Sequence, residues 1–265
     1  MVDLVAAQRV AEEAAVAAGE ILLKNRHKIR VKRFKDQQDI VTNVDLKAEK
    51  KVLQILSKNF PGHSVFSEEA GLIDHNSPYR WVVDPLDGTK EYFRGVPWFG
   101  TCLSLETKKE ILVGCVYNPT TDELYSAAKG QGSLENGKRI MVSRQAELKD
   151  AFVYTHPPTY KTPKPEFSLI MKRISRLIQH SYRLRTSAND AFVLSWLAKG
   201  GVDAYCLLGP LTSWHDVSAG IIIAQEAGAR ITDIKGKSLR HDDLSHGIVA
   251  TNGKVHEEII QLLNR

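Results

Sequence analysis

Trp81-Val82-Val83-Asp84-Pro85-Leu86-Asp87-Gly88-Thr89 is the stretch on which the reading of this chain turns. An apolar run of strand type delivers two carboxylates, and Gly88 and Thr89 turn the backbone just past them. Asp84 and Asp87 are hard oxygen donors suited to Mg²⁺, which combines a few carboxylates with waters and substrate phosphate. Gly88 admits close approach of the backbone to an anion. A helix starting at Thr89 would turn free N–H groups toward phosphate. The Thr89 hydroxyl is suited to orienting or deprotonating a water. Asp-Pro and Asp-Gly also form ordinary turns, so the stretch gains its weight from its neighbours.

Those neighbours are acidic and follow short apolar segments. Ser67-Glu68-Glu69 comes after Ser64-Val65-Phe66, and Asp45 closes Val41-Thr42-Asn43-Val44-Asp45. Trp214-His215-Asp216 opens an apolar, helix-like run through Gly220-Ile221-Ile222-Ile223-Ala224 to Glu226-Ala227-Gly228. Four acidic stations at the ends of strands or turns are expected to meet at one place. Each also has a plain reading: Asp45 and Asp216 as helix caps, Glu68 and Glu69 as loop charges.

The 265 residues, 43% of them hydrophobic, suffice for one large domain or two closely joined sub-domains. The net charge of +5 comes without a dense basic block interleaved with aromatics. The basic stretch from Lys28 to Lys35 reads as a solvated connector, and no nucleic-acid partner is expected. Cys102, Cys115 and Cys206 lack CxxC spacing and read as reduced core residues. With Asp3, Glu12 and Glu13 at its start the chain reads as lacking a signal peptide, and no apolar run is long enough for a bilayer. A cytoplasmic protein without a membrane partner is expected. Periodicity predicts helices over about Asp3–Asn25, Leu46–Asn59, Phe167–His180, Ala191–Lys199 and Val217–Ala227. It predicts strands at Val65-Phe66 and Trp81–Val83, then a meander over 99–106, 111–117 and 123–128. Further strands are expected at 151–155, 182–185 and 202–207.

The segments VTNVDLKAEK (41–50), SEE (67–69), WVVDPLDGT (81–89) and DVSAGIIIAQEAG (216–228) together resemble the inositol monophosphatase superfamily of Mg²⁺-dependent, lithium-sensitive phosphatases. The resemblance implies an α+β fold, the layered α-β-α-β-α sandwich of the inositol monophosphatase/fructose-1,6-bisphosphatase type. It implies a single phosphatase domain over 1–265, with sub-domains of about 1–143 and 144–265. It places one metal on Glu68, Asp84 and the Leu86 carbonyl, and a second on Asp84, Asp87 and Asp216. The choice of Glu68 over Glu69 comes from the family pattern alone. Two or three Mg²⁺ ions are implied, with Mn²⁺ as an alternative. Glu68, Thr89 and Asp45 would activate the attacking water, and Gly88 and Thr89 would hold phosphate. Family members also suggest that Lys35 reaches phosphate or metal-bound water, against the plain reading of a solvated lysine. A homodimer is expected on the same ground.

The pattern also departs from the family. His215 is inserted between tryptophan and the last aspartate. Asn189 and Asp190 stand where small residues usually touch substrate, and should reshape that pocket. Cys206-Leu207-Leu208 lacks the acid expected at the inositol hydroxyls. Lys90-Glu91 and Leu208-Gly209-Pro210 are similar to the 3′(2′),5′-bisphosphate nucleotidases, whereas 95–101 and Asp190 look like the histidinol-phosphatases. The leading expectation is hydrolysis of inositol monophosphate. Bisphosphate nucleotidase, histidinol-phosphatase and fructose-1,6-bisphosphatase are the alternatives among enzymes. A regulatory binding protein retaining the fold is the alternative outside them.

Overall fold

The computed structural model describes residues 2–34 and 40–265. Its first layer is a helix pair, α1 (Leu4–Asn25) and α2 (Asn43–Asn59). Asp3 starts α1 by accepting from the N–H groups of Val5 and Ala6. Its buried stripe (Ala7, Ala11, Ala14, Ala18, Leu22) has helical spacing and is mostly alanine, so the helix lies close to what it covers. A short antiparallel pair, β1 (Val31–Phe34) and β2 (Ile40–Thr42), leads into α2.

The helix pair covers an eight-stranded sheet, with Ala11, Ala18, Val52, Trp81, Leu103 and Cys115 in one buried cluster. The sheet comprises β3 (Ser64–Ser67), β4 (Gly71–Ile73), β5 (Arg80–Asp87), β6 (Gly100–Glu106), β7 (Ile111–Asn118), β8 (Glu123–Ala128), β9 (Gly132–Glu135) and β10 (Lys138–Ile140). From β5 to β10 each strand pairs with the next in antiparallel fashion; β3 lies parallel to β5, with β4 at the edge. A six-residue helix, α3 (Thr89–Arg94), follows β5. Two further helices, α5 (Asp190–Ala198) and α6 (Trp214–Glu226), cover the other face through Cys102, Val116, Phe192, Ala219 and Ile223. The same helices back onto a five-stranded sheet, where Leu194 and Ile221 meet Tyr205, Leu207 and Ile248. Its strands are β11 (Phe152–Thr155), β12 (Arg183–Thr186), β13 (Ala204–Leu207), β14 (Arg230–Thr232) and β15 (Ile248–Thr251). The last layer is α4 (Lys164–His180) with α7 (His256–Leu263), packed through Ile170, Ile174, Ile259 and Leu262 onto Val153 and Val249. The order is helix, sheet, helix, sheet, helix, an α+β sandwich. Its central helices are buried between two sheets, which explains why α6 is apolar all round.

Among the helix starts that differ from the sequence expectation, two bear on the acidic stations; α4 likewise starts three residues early, at Lys164. α2 begins at Asn43 and α6 at Trp214, each three residues before the predicted start. Asp45 and Asp216 therefore lie inside first turns, not ahead of helices or at strand ends. Both are third helical residues of capping boxes, which apolar periodicity cannot register because capping residues are polar. Cys102, Cys115 and Cys206 are free and buried, as expected. Among the described residues no helix is long and apolar enough to cross a membrane. Lys35 lies outside the described residues.

At the start of α7 the ring of His256 is fully buried, with Thr232 Oγ1 at 3.0 Å from Nε2 and Thr251 Oγ1 at 3.0 Å from Nδ1. Burial, and then the charge of Arg230, pull its pKa down to about 4. The folded state thus binds this proton more weakly than the unfolded chain does. Stability from this residue is complete above the ordinary histidine pKa and is lost as pH falls from there toward about 4. The urea midpoint of wild type should drop between pH 7 and pH 5, and His256→Gln should flatten that drop; parallel profiles would refute the assignment.

Candidate active site

The site begins with a fault in a strand. The register of β5 on β6 pairs Asp84 with Cys102 and Asp87 with Gly100, so β5 carries one extra residue between these pairs. Pro85 sits in this bulge, where its missing N–H costs no ladder bond, and Thr101 Oγ1 donates to its carbonyl at 3.1 Å. The bulge sets where Asp84 and Asp87 point relative to the regular pleat. Both are buried, at 2% and 6% exposure. Gly88 then takes φ +83°, and a side chain there would run into Trp98 O at 2.6 Å and Asn189 Nδ2 at 2.7 Å. Glycine is thus demanded twice, by backbone conformation and by space.

Around this bulge lies an open cavity of about 350 Å³. Its wall includes Glu68, Asp84, Leu86, Asp87 and Asp216, with Gly88, Thr89 and Asn189 alongside. Burial pushes the Asp84 carboxyl well above the ordinary range, and the charges of Glu68, Asp87 and Asp216 and a hydrogen bond to Glu68 push it further. Asp87 is raised likewise by burial, then by Asp216, Asp190, Glu68 and Glu91. So many carboxylates facing one space repel one another, and a cation among them would relieve that repulsion.

One oxygen of Asp84, Oδ1, accepts the Leu86 N–H at 3.0 Å. In Asp216, Oδ2 accepts from Ser213 N at 2.9 Å and Thr212 Oγ1 at 2.7 Å, completing the capping box of α6. Its other oxygen, Oδ1, lies 3.3 Å from His215 Nε2. The inserted His215 therefore leaves Asp216 on the cavity wall, because the cap fixes it to the first turn. Trp214 Nε1 donates to the buried Glu106 at 2.8 Å, and Ser218 Oγ lies 2.8 Å from Ser104 Oγ. Glycines set the depth of α6. A side chain at Gly114 of β7 would stand 2.5 Å from Ala219 O and Ile222 Cγ2, and one at Gly220 would stand 2.7 Å from Leu194 Cβ.

Asp45 is almost fully buried and reaches the site indirectly. Its Oδ2 accepts the Thr42 N–H at 3.1 Å within the capping box of α2, while Oδ1 accepts from Thr89 Oγ1 at 3.3 Å. The same hydroxyl contacts Leu86 O at 3.0 Å. Burial pushes the Asp45 pKa up to about 6 against the hydrogen bonds that lower it. Capping and site roles thus share one carboxylate.

Glu68 and Glu69 differ in where they face. Glu69 Oε2 pairs with Arg33 Nη2 at 2.8 Å, whereas Glu68 faces the cavity beside Asp84. Glu49 was not singled out by the sequence. Its Oε1 accepts from Ser67 Oγ at 2.5 Å, Ala70 N at 2.9 Å and Glu69 N at 3.2 Å, and so holds the turn carrying Glu68. The only sequence signal was its place one helical turn after Asp45. Asn189 lines the cavity as expected, but Asp190 does not. Asp190 is fully buried and bound to His156 and Tyr205, because α5 starts there and turns it toward the five-stranded sheet. His156, from the loop after β11, is on the wall instead and was also missed.

Among the described residues no three or more His, Cys, Asp or Glu side chains form a cage that could hold a metal ion. A hard cation that retains waters and binds substrate oxygens needs no such cage. The donor set fits Mg²⁺: all oxygen, mostly anionic, with Asp87 Oδ2 buried and without a hydrogen-bond partner among the described residues.

Comparison with known proteins gives the same picture. The sequence model of the inositol monophosphatase family matches residues 3–265. The chain is 34% identical to a fructose-1,6-bisphosphatase/inositol-1-monophosphatase of Aquifex aeolicus over 97% of this chain and 94% of that protein. It is 35% identical to the Nus factor SuhB of Vibrio cholerae, over 95% and 93% respectively. The solved structure of an inositol monophosphatase from Anabaena (Nostoc) sp. PCC 7120 superposes with a TM-score of 0.87 at 31% identity, covering 99% of this chain and 97% of that one.

Proposed function

The chain belongs to the inositol monophosphatase family and is a phosphoric monoester hydrolase, and from that premise we propose that it cleaves a small alcohol phosphate, inositol monophosphate first, at the cavity around Asp84 and Asp87. The observation that carries this reading is Asp87 Oδ2, a buried carboxylate oxygen with no hydrogen-bond partner among the described residues, near the carboxylates of Asp216, Asp190, Glu68 and Glu91. An oxygen left so is costly unless a cation occupies its lone pairs. Glu68, Asp84, the Leu86 carbonyl, Asp87 and Asp216 would hold Mg²⁺, with Mn²⁺ as a substitute. Bound there, the ions would supply charge for the phosphate oxygens and lower the pKa of the attacking water.

The chain's own residues do the rest. Thr89, held between Asp45 and the Leu86 carbonyl, orients the attacking water; as Thr89 Oγ1 takes the water's proton it passes its own to Asp45 Oδ1. Glu68 lies across the cavity wall as a second acceptor. Gly88 and the N–H of Thr89 place backbone donors against the phosphate where no side chain fits. The products are inorganic phosphate and the free alcohol. A homodimer in the cytoplasm belongs to the same reading and is checked by light scattering.

The test is phosphate release with Mg²⁺ from inositol 1-phosphate, 3′-phosphoadenosine 5′-phosphate, histidinol phosphate and fructose 1,6-bisphosphate side by side. Inositol 1-phosphate should be turned over fastest, with release lost on chelation and restored by Mg²⁺. Preference for another of the four would replace the substrate but keep the chemistry. Release that survives chelation would overturn the metal assignment.

A further inference from the structure

Resting on that phosphatase reading, we propose that His156 selects the alcohol half of the substrate by hydrogen-bonding a free hydroxyl near the ester, with Asp190 and Tyr205 as its positioning residues. The ring is 6% exposed, and its Nδ1 lies 3.0 and 2.9 Å from the two oxygens of Asp190. Tyr205 OH donates to Asp190 Oδ1 at 2.6 Å. Asp190 and Tyr205 are both fully buried. One carboxylate therefore receives two donors, one from Tyr205 of β13 and one from the loop after β11, and the ring is held in a single orientation with its Nδ1 proton inward.

That arrangement leaves Nε2. Among the described residues it has no hydrogen-bond partner, and it is not one of the buried orphaned atoms, while His156 forms part of the cavity wall. The polar atom presented to a ligand is thus a ring nitrogen fixed from behind, beside the uncharged wall residues Thr159, Asn189 and Thr212. A network this deeply buried is expensive unless fully satisfied, and only its outward end is open.

The chemistry of that end chooses the partner. A neutral ring with its proton on Nδ1 accepts at Nε2, and a protonated ring donates there. A hydroxyl meets both forms, since it both donates and accepts. An ammonium or imidazolium on the substrate only donates, and it is repelled when the ring is charged. The buried Asp190 charge offsets the ring's own, so a second phosphate gains little from it. Polyhydroxylated alcohols fit best.

The experiment compares kcat/KM for inositol 1-phosphate with that for phenyl phosphate, which has no free hydroxyl, using the full chain with saturating Mg²⁺. In His156→Ala the ratio of the two should fall tenfold or more. His156→Gln, which keeps a donor and an acceptor, should recover part of it and carries the test if the alanine variant does not fold. Tyr205→Phe should raise KM for inositol 1-phosphate more than it lowers kcat, as expected of a residue that only positions the ring. Equal losses on both esters, or no change in the ratio in either His156 variant, would overturn the proposal while leaving the phosphatase reading intact. Absence of release from either ester by wild type would instead sink the reading on which it rests.

Discussion

Asp87→Asn abolishes phosphate release, by roughly a thousandfold or more, and leaves the protein at least as stable as wild type. Asp87 is buried among the charges of Asp216, Asp190, Glu68 and Glu91, and its own charge is disfavoured there. An asparagine of the same shape removes that repulsion, so folding gains or is unchanged. Catalysis loses the one buried side-chain oxygen that has no hydrogen-bond partner among the described residues. Phosphate release and the urea midpoint, each with and without Mg²⁺, check both halves. Wild type should gain stability from Mg²⁺ by ordinary ligand linkage, and the variant should gain less. Near-native turnover in Asp87→Asn would end the two-metal assignment. Asp216→Asn makes the complementary case: the carboxamide oxygen can keep the cap of α6 while the outward atom becomes an amide.

The second large effect is expected at a residue outside the cavity wall. Gly114→Ala should lower the melting temperature by roughly 5 °C or more, since overpacking of this kind costs about 1–3 kcal/mol in a chain of this size class. The added carbon would meet Ala219 O, a backbone atom of α6, at 2.5 Å. Neither the strand nor the helix can yield alone, because α6 is also stopped by Leu194 behind Gly220. What gives is the seat of α6, and with it the position of Asp216. Phosphate release should therefore fall more steeply than the folded fraction at the assay temperature. Gly62→Ala is the control, as nothing lies within 4 Å of its added carbon. A Gly114→Ala protein with unchanged melting temperature and turnover would show that α6 is free to shift.

The sequence made some of this legible and hid the rest for identifiable reasons. The strand ending in Asp84-Pro85-Leu86-Asp87-Gly88-Thr89 could be read directly, because its apolar run and glycine are local signals. The meander over β6, β7 and β8 was legible for the same reason. The five layers were not, since they depend on which faces pair across long sequence separations; only family resemblance supplied them. Asp45 and Asp216 were placed ahead of their helices, because periodicity starts at the first apolar residue and both lie in polar capping turns. Arg33, which pairs with Glu69, lies 36 residues away from it in sequence. Asp190 was expected at the substrate, yet Tyr205 and His156, distant in sequence, draw it inward. Glu49 and His156 carry no motif at all.

The hydrogen bonds that tie one oxygen of Asp84 to Leu86 N–H and one oxygen of Asp216 to the cap of α6 have a further consequence for ion choice. A carboxylate oxygen engaged by a backbone N–H keeps a lone pair for an ion, but the bond fixes the direction in which the carboxylate faces it. Bidentate chelation, which Ca²⁺ uses to reach its higher coordination numbers, would ask each carboxylate to turn against those bonds. A small octahedral ion asks each carboxylate for one oxygen and fills the remaining positions with water and phosphate. The bonds that fold the turn of β5 and the start of α6 would thus also aim these carboxylates at any ion bound between them, an arrangement that would suit a small octahedral ion better than a larger one.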